Sequence, residues 1–297
     1  MSDAIEFKAF IDEVVNELPD YLLRYDIDKI QVEDVCKNNG VVYTGIIISV
    51  KNENMSPNVY MNYYYELYKN GKSIEDITKD IVSEYEKARE EMLAEGIIAP
   101  NKDDYAKKVF LRLVNYEKNK EQLKDCPFII YHDLAITIRY LVKQDKDGIA
   151  SALITNRELK EWGISKEEIY CIAKENTLKL FPPVLKRLDI MLKEMNCAEN
   201  VIDGTKLYIL TNKAGVNGAT SMIYEDIIKA FAVEHSTDVY ILPSSIHEVL
   251  LLPHEEGMDK NEIEEMVREI NTYVVSKMEY LSDNVYKYDF KELCVKI

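Results

Sequence analysis

The chain has 297 residues, of which 37 are Lys or Arg and 53 are Asp or Glu, giving a formal net charge of −16, and 47% of its residues are hydrophobic. That apolar content excludes an intrinsically disordered chain, and only 10 Gly and 8 Pro exclude collagen-like or low-complexity sequence. The charge argues against polyanionic partners, so neither nucleic acid nor a membrane surface is expected to be bound.

The N-terminal stretch MSDAIEFKAFIDEVVNEL scatters charges among its apolar residues and lacks a basic segment followed by an apolar run, so no signal peptide is expected. Val41–Val50 and Val249–Pro253 are the longest apolar runs, far below the roughly 20 residues that span a bilayer. Five cysteines (Cys36, Cys126, Cys171, Cys197, Cys294) are an odd number with no C-x-x-C spacing. Free thiols in a reducing cytoplasm are therefore expected rather than disulfides or a zinc site.

Ile5, Phe7, Phe10, Ile11, Val14, Val15 and Leu18 recur at helical spacing over Ala4–Leu18, and Pro19 is expected to stop that helix. Asp26–Val35 and Val41–Val50 read as a hairpin, with Asn39-Gly40 supplying two positive φ angles at the turn. Ser56-Pro57-Asn58 breaks the chain before the Tyr-dense Val59–Lys69. Ser73 then caps a long helix, Ile74–Ala94, which Gly96 terminates. Tyr105–Tyr116 fits a strand through Val109, Leu111 and Leu113 and a helix through Phe110 and Val114, so it stays ambiguous.

After Cys126-Pro127 strands dominate: Phe128–Tyr131, Leu134–Val142 and Ile149–Ile154, the last two joined by a turn ending in Asp147-Gly148. Helices follow at Asn156–Trp162, with Gly163 as the left-handed residue closing it, and at Lys166–Leu180, with Ser165 and Glu168 set for a capping box. Val184–Met195 reads as a further helix. Leu207–Thr211, Gly218–Tyr224, Asp238–Leu242, Ile246–Leu252 and Val285–Phe290 read as strands, and Glu225–His235 and Lys260–Tyr273 as helices. Strands arriving in hairpins predict an α+β fold of mostly antiparallel sheets packed with amphipathic helices. The change of texture near Leu123–Pro127 divides the chain into regions 1–125 and 126–297. Gly148–Ile154 and Gly218–Tyr224 echo one another, each after a Gly-containing turn. Two explanations stay open: a duplicated hairpin-helix unit, or coincidence.

Three groups of residues are candidates for function. Polar side chains at strand ends, Asn156, Asn212, Lys213, Ser244, Ser245, His247 and Glu248, would form a pocket if the fold brings them together. A nucleophile–base reading of Ser245 and His247 lacks a Gly-x-Ser-x-Gly elbow, and turn formation explains the segment as well. Tyr60, Tyr63, Tyr64, Tyr65 and Tyr68 are an interface candidate, because Tyr pairs a large apolar ring with a polar tip. On a helix Tyr60, Tyr64, Leu67 and Tyr68 share a face and Tyr63 does not. His247 and His254 lack metal-ligand spacing, and phosphate-loop motifs are absent, so no metal and no cofactor is expected.

The chain resembles a family of uncharacterised bacterial proteins classed as a domain of unknown function. The likeness rests on Lys37–Gly45 (KNNGVVYTG), Ser56-Pro57 leading into the Tyr patch, Val114–Asn119, Thr155-Asn156 to Trp162-Gly163, Ala173–Thr177 to Phe181-Pro-Pro183, Leu210–Asn212 to Gly218-Ala219, and Leu242–Glu248. These stretches cover nearly the whole chain. The order of elements in the C-terminal half is also similar to a second uncharacterised bacterial family. Neither resemblance implies an activity or a catalytic residue. The expectation is a non-catalytic cytoplasmic interaction or regulatory protein whose partner is another protein; the alternative is an enzyme or small-molecule binder using the strand-end pocket.

Overall fold

The computed structural model describes residues 6–53, 56–95, 100–145, 148–194, 206–243 and 245–296. Gly96, Asp147, Met195, Cys197 and Ser244 lie outside these residues. The chain forms two compact units, Met1–Ile98 and Ala99–Ile297. The division falls earlier than the 125/126 boundary expected from texture. The reason is the strand at Val109–Asn115, which pairs along its length with Leu134–Tyr140 and so belongs to the second unit.

In the first unit, α1 (Phe7–Tyr21) turns Phe10, Ile11, Val14 and Leu18 inward at i, i+1, i+4 and i+8. Burial of each large apolar side chain contributes roughly 1.5–3 kcal/mol. Pro19 does not stop this helix but lies inside its last turn, where its carbonyl accepts the Leu22 amide. β1 (Ile27–Cys36) and β2 (Val42–Val50) form the expected hairpin, with Asn39 at φ 59° and Gly40 at φ 69°. β1 is a sheet edge that carries Asp28, Lys29, Glu33 and Asp34, charges that discourage edge-to-edge pairing. β3 (Asn58–Tyr60) adds a short third strand and runs directly into α2 (Met61–Lys69). Ser73 caps α3 (Ile74–Glu95) by accepting the Asp76 amide at 3.1 Å. One core, including Phe10, Leu18, Ile46, Ile48, Met61, Tyr64, Ile77 and Tyr85, holds these elements together.

The second unit opens with a short helix, α4 (Tyr105–Lys108), then β4 (Val109–Asn115), which resolves the ambiguous segment into one turn of helix and a buried strand. After α5 (Lys120–Leu123) come β5 (Phe128–Tyr131), β6 (Leu134–Asp145) and β7 (Gly148–Leu153). β4 pairs one side of β6. β5 pairs Leu134–Thr137 and β7 pairs Arg139–Asp145, in line along the other side. α6 (Asn156–Trp162) starts with a full capping box between Thr155 and Glu158 and ends at Gly163, φ 69°. α7 (Lys166–Leu180) is capped by Ser165, which accepts the Glu168 amide at 3.1 Å.

Two expected elements differ. Val184–Met195 is not one helix: β8 (Pro183–Arg187) pairs with β9 (Tyr208–Asn212), and only α8 (Leu188–Glu194) is helical. β-branched Val184 beside helix-breaking Pro183 favours pairing over a helical turn. Gly218–Ile223 is a buried 3-10 helix rather than a strand, so it does not repeat the structure of β7. α9 (Glu225–His235), β10 (Val239–Leu242), β11 (Val249–Pro253), α10 (Lys260–Tyr273), β12 (Tyr286–Asp289) and β13 (Cys294–Lys296) complete the unit. The strand at Ile246–Leu252 therefore begins later than expected, at Val249. The larger sheet runs β13-β12-β10-β11-β9-β8, and every ladder among the described residues is antiparallel. The fold class is α+β, as the hairpin pattern predicts. No helix among the described residues is long and apolar enough to cross a membrane.

Candidate functional site

The two outer edges of the β4–β7 sheet are treated differently. On β4, the Leu111 amide donates to Thr177 Oγ1 at 2.8 Å and the Leu113 amide to Thr220 Oγ1 at 3.1 Å. The Val109 carbonyl accepts from Asn176 Nδ2 at 3.1 Å. Side chains of α7 and of the Gly218–Ile223 turn thus close that edge.

Among the described residues β5 has no such cover. Only His132 and Asp133 separate Tyr131 from Leu134, so Tyr131–Leu134 and Ile129–Ile136 are the hydrogen-bonded pairs of this hairpin. The backbone groups of Phe128 and Ile130 therefore point away from β6, and no strand among the described residues pairs with that side. The Ile130 side chain is 51% exposed. An open groove of about 690 Å³ runs along this edge, lined by Cys126, Pro127, Phe128, Ile129 and Ile130, by Tyr116 and Leu123, and by Asn156. Consecutive strand residues alternate faces, so a wall made of Phe128, Ile129 and Ile130 together is the strand's edge and not one of its faces. Lys120, Lys124 and Lys166 stand at the rim with Glu121. Lys120 pairs with Glu117 and Lys124 with Glu121, whereas Lys166 has no acidic partner among the described residues. Burial raises the Cys126 thiol to about 11, and its Sγ lies 3.6 Å from the Gln122 carbonyl, so it is not an activated nucleophile.

The strand-end candidates divide between two places. Asn156 lines the groove, where its amide donates to the Asp125 carbonyl at 2.8 Å. Asn212, Ser245 and His247 meet elsewhere, around Gly218. Thr211 Oγ1 donates to the His247 carbonyl at 2.8 Å, and His247 Nδ1 accepts the Asn217 amide at 3.3 Å. An accepting Nδ1 leaves the ring proton on Nε2, which lies 3.5 Å from Glu279 Oε1. Ser245 Oγ accepts the His247 amide at 2.9 Å, so the hydroxyl is engaged with backbone rather than with the imidazole. Asn212 is likewise held in its own turn by Val216 and Ala214. Lys213 is exposed and Glu248 partly buried. The polar atoms brought together here satisfy one another. Ser244 lies outside the described residues.

The tyrosine candidates belong mostly to the first unit's core. Tyr64 is 4% exposed and donates to Glu84 at 2.5 Å. Tyr65 packs on Phe7 and Phe10, Tyr68 packs on Phe10, and Lys37 lies over Tyr60. Only Tyr63 faces solvent, at 65% exposure, on the face the helical spacing separates from the others.

Sequence reasoning missed the groove residues Phe128, Ile130 and Lys166. The run Phe-Ile-Ile-Tyr is continuously apolar, the pattern of a strand buried on both faces. Nothing in it says that one edge stays open. Among the described residues, no group of three or more His, Cys, Asp or Glu side chains could hold a metal ion.

No curated protein and no solved structure matches the chain. Residues 7–290 match a family of unknown function (DUF5688), and the chain belongs to that family.

Proposed function

We propose that this protein is an interaction module that docks an extended segment of a partner protein along β5. The observation that carries this reading is the outer edge of β5, unpaired among the described residues and set within an apolar groove, in a sheet whose opposite edge is closed by Thr177, Thr220 and Asn176. A strand added there would receive backbone hydrogen bonds from Phe128 and Ile130, while its alternate side chains enter the groove. Lys166 at the rim favours a segment with a carboxylate at that end.

Selection from a random peptide library tests the reading. Ile130→Pro removes the outward amide but no bond to β6, so selected peptides are expected to lose at least about tenfold in affinity, the loss of one strong backbone bond, with little change in Tm. Failure to enrich any peptide, or equal binding to the variant, overturns it.

A further inference from the structure

Seven arginines occur in the chain. Arg24, Arg89, Arg157, Arg187 and Arg268 each form a salt bridge with a carboxylate. Arg112 and Arg139 form none among the described residues, although the chain has 53 acids to supply one. The two are neighbours. Arg112 stands directly across from Thr137, and Arg139 lies two residues along from Thr137 on the same strand, which places both side chains on one face of the sheet.

Arg139 is held in place: its Nε donates to Ser151 Oγ at 2.8 Å and its Nη2 to the Ser151 carbonyl at 2.7 Å. Arg112 is not. Its Nε is sealed from solvent and donates to no atom among the described residues. Burial, together with the nearby charge of Arg139, pulls the Arg112 guanidinium down to about 9, and burial pulls Arg139 down to about 10. Two adjacent, partly buried cations without a counter-charge among the described residues are costly, and a guanidinium fork with unused donors suits an oxyanion.

We infer that Arg112 and Arg139 form a binding site for an oxyanion, a phosphate or carboxylate group, with Arg139 as the fixed donor and Arg112 completing the clamp. Thr137 cannot be the missing counter-group: its hydroxyl donates to the Arg112 carbonyl at 3.0 Å and bears no charge. The site stands on observations separate from those at the β5 edge.

Thermal shift and isothermal titration with inorganic phosphate and with sodium acetate, against chloride at equal ionic strength, provide the test. A saturable rise in Tm beyond chloride is expected from at least one anion; the one that acts identifies the group as phosphate or carboxylate. Arg112→Met is expected to weaken that binding at least about tenfold. If Arg112→Met does not fold, Arg112→Lys serves instead, since it keeps the charge and loses the fork, and weaker binding is again expected. No rise beyond chloride in the wild type, or unchanged affinity in the folded variant, overturns the inference.

Discussion

The Leu111 amide donates to the hydroxyl of Thr177 at 2.8 Å, so a strand edge is closed by a helix side chain rather than by another strand. The same hydroxyl donates to the Ala173 carbonyl at 2.7 Å, completing its own bonds while it serves β4. Thr177→Val keeps the shape and leaves a buried amide without an acceptor. Unsatisfied buried donors cost about 1–3 kcal/mol, and denaturant unfolding is expected to show a loss in that range.

Gly218 is fixed by close approach. A Cβ there would lie 2.2 Å from Thr211 Oγ1, 2.4 Å from the His247 carbonyl and 2.7 Å from the Asn212 amide nitrogen. Two of these neighbours are backbone and cannot swing aside. Gly218→Ala is expected to destabilise by at least about 1–3 kcal/mol, the usual cost of overpacking, read as a lower denaturation midpoint. Gly215→Ala is the contrast: its Cβ meets nothing, so only the strain of φ 67° is expected.

How much of this was legible in the sequence depends on what each signal encodes. Caps and turns were legible, because Asn39-Gly40, Ser73, Ser165 and Gly163 encode local geometry that neighbours do not override. Gly218–Ile223 was not, since the same apolar pattern serves a strand or a buried 3-10 turn, and the contact with Thr211 and His247 decides between them. Several residues that carry the family resemblance prove to be fasteners: Asn176 and Thr177 close β4, and Thr211 and His247 bracket Gly218. That explains why a distinctive pattern implied no chemistry. The groove escaped because edge exposure is a property of sheet order, which Phe128–Tyr131 does not encode.

Thr155 joins the groove to its capping box. Its amide donates to Glu158 Oε2 at 2.8 Å, its hydroxyl accepts the Arg157 amide at 3.2 Å, and the next residue, Asn156, lines the groove. Thr155→Ala is expected to cost about 0.5–2 kcal/mol, measured by unfolding.

Asp289 gives the β12–β13 hairpin a dependence on pH. Its carboxylate accepts the Glu292 amide at 2.9 Å and the Lys291 amide at 3.0 Å and pairs with Lys296 at 3.0 Å. The Glu292 amide, then Lys296, hold it down from 3.8 to about 2. A lowered carboxylate stabilises the fold above its unfolded value and loses that contribution as pH falls through its folded value. The contribution is therefore complete above about pH 4 and fades toward pH 2. An NMR titration of the Asp289 carboxyl should show the depressed midpoint, and Asp289→Asn should remove this part of the acid dependence. A midpoint near 3.8 would count against it.

The open edge of β5 can be tested in the free protein by hydrogen exchange at two adjacent amides, Ile129 and Ile130, monitored by NMR. The Ile129 amide bonds to β6 and is expected to exchange slowly, whereas the outward Ile130 amide is expected to exchange fast. Adding a selected peptide should slow Ile130 and leave Ile129 unchanged. Equal protection of the two amides without peptide, or no slowing of Ile130 with it, would contradict a docking edge at β5.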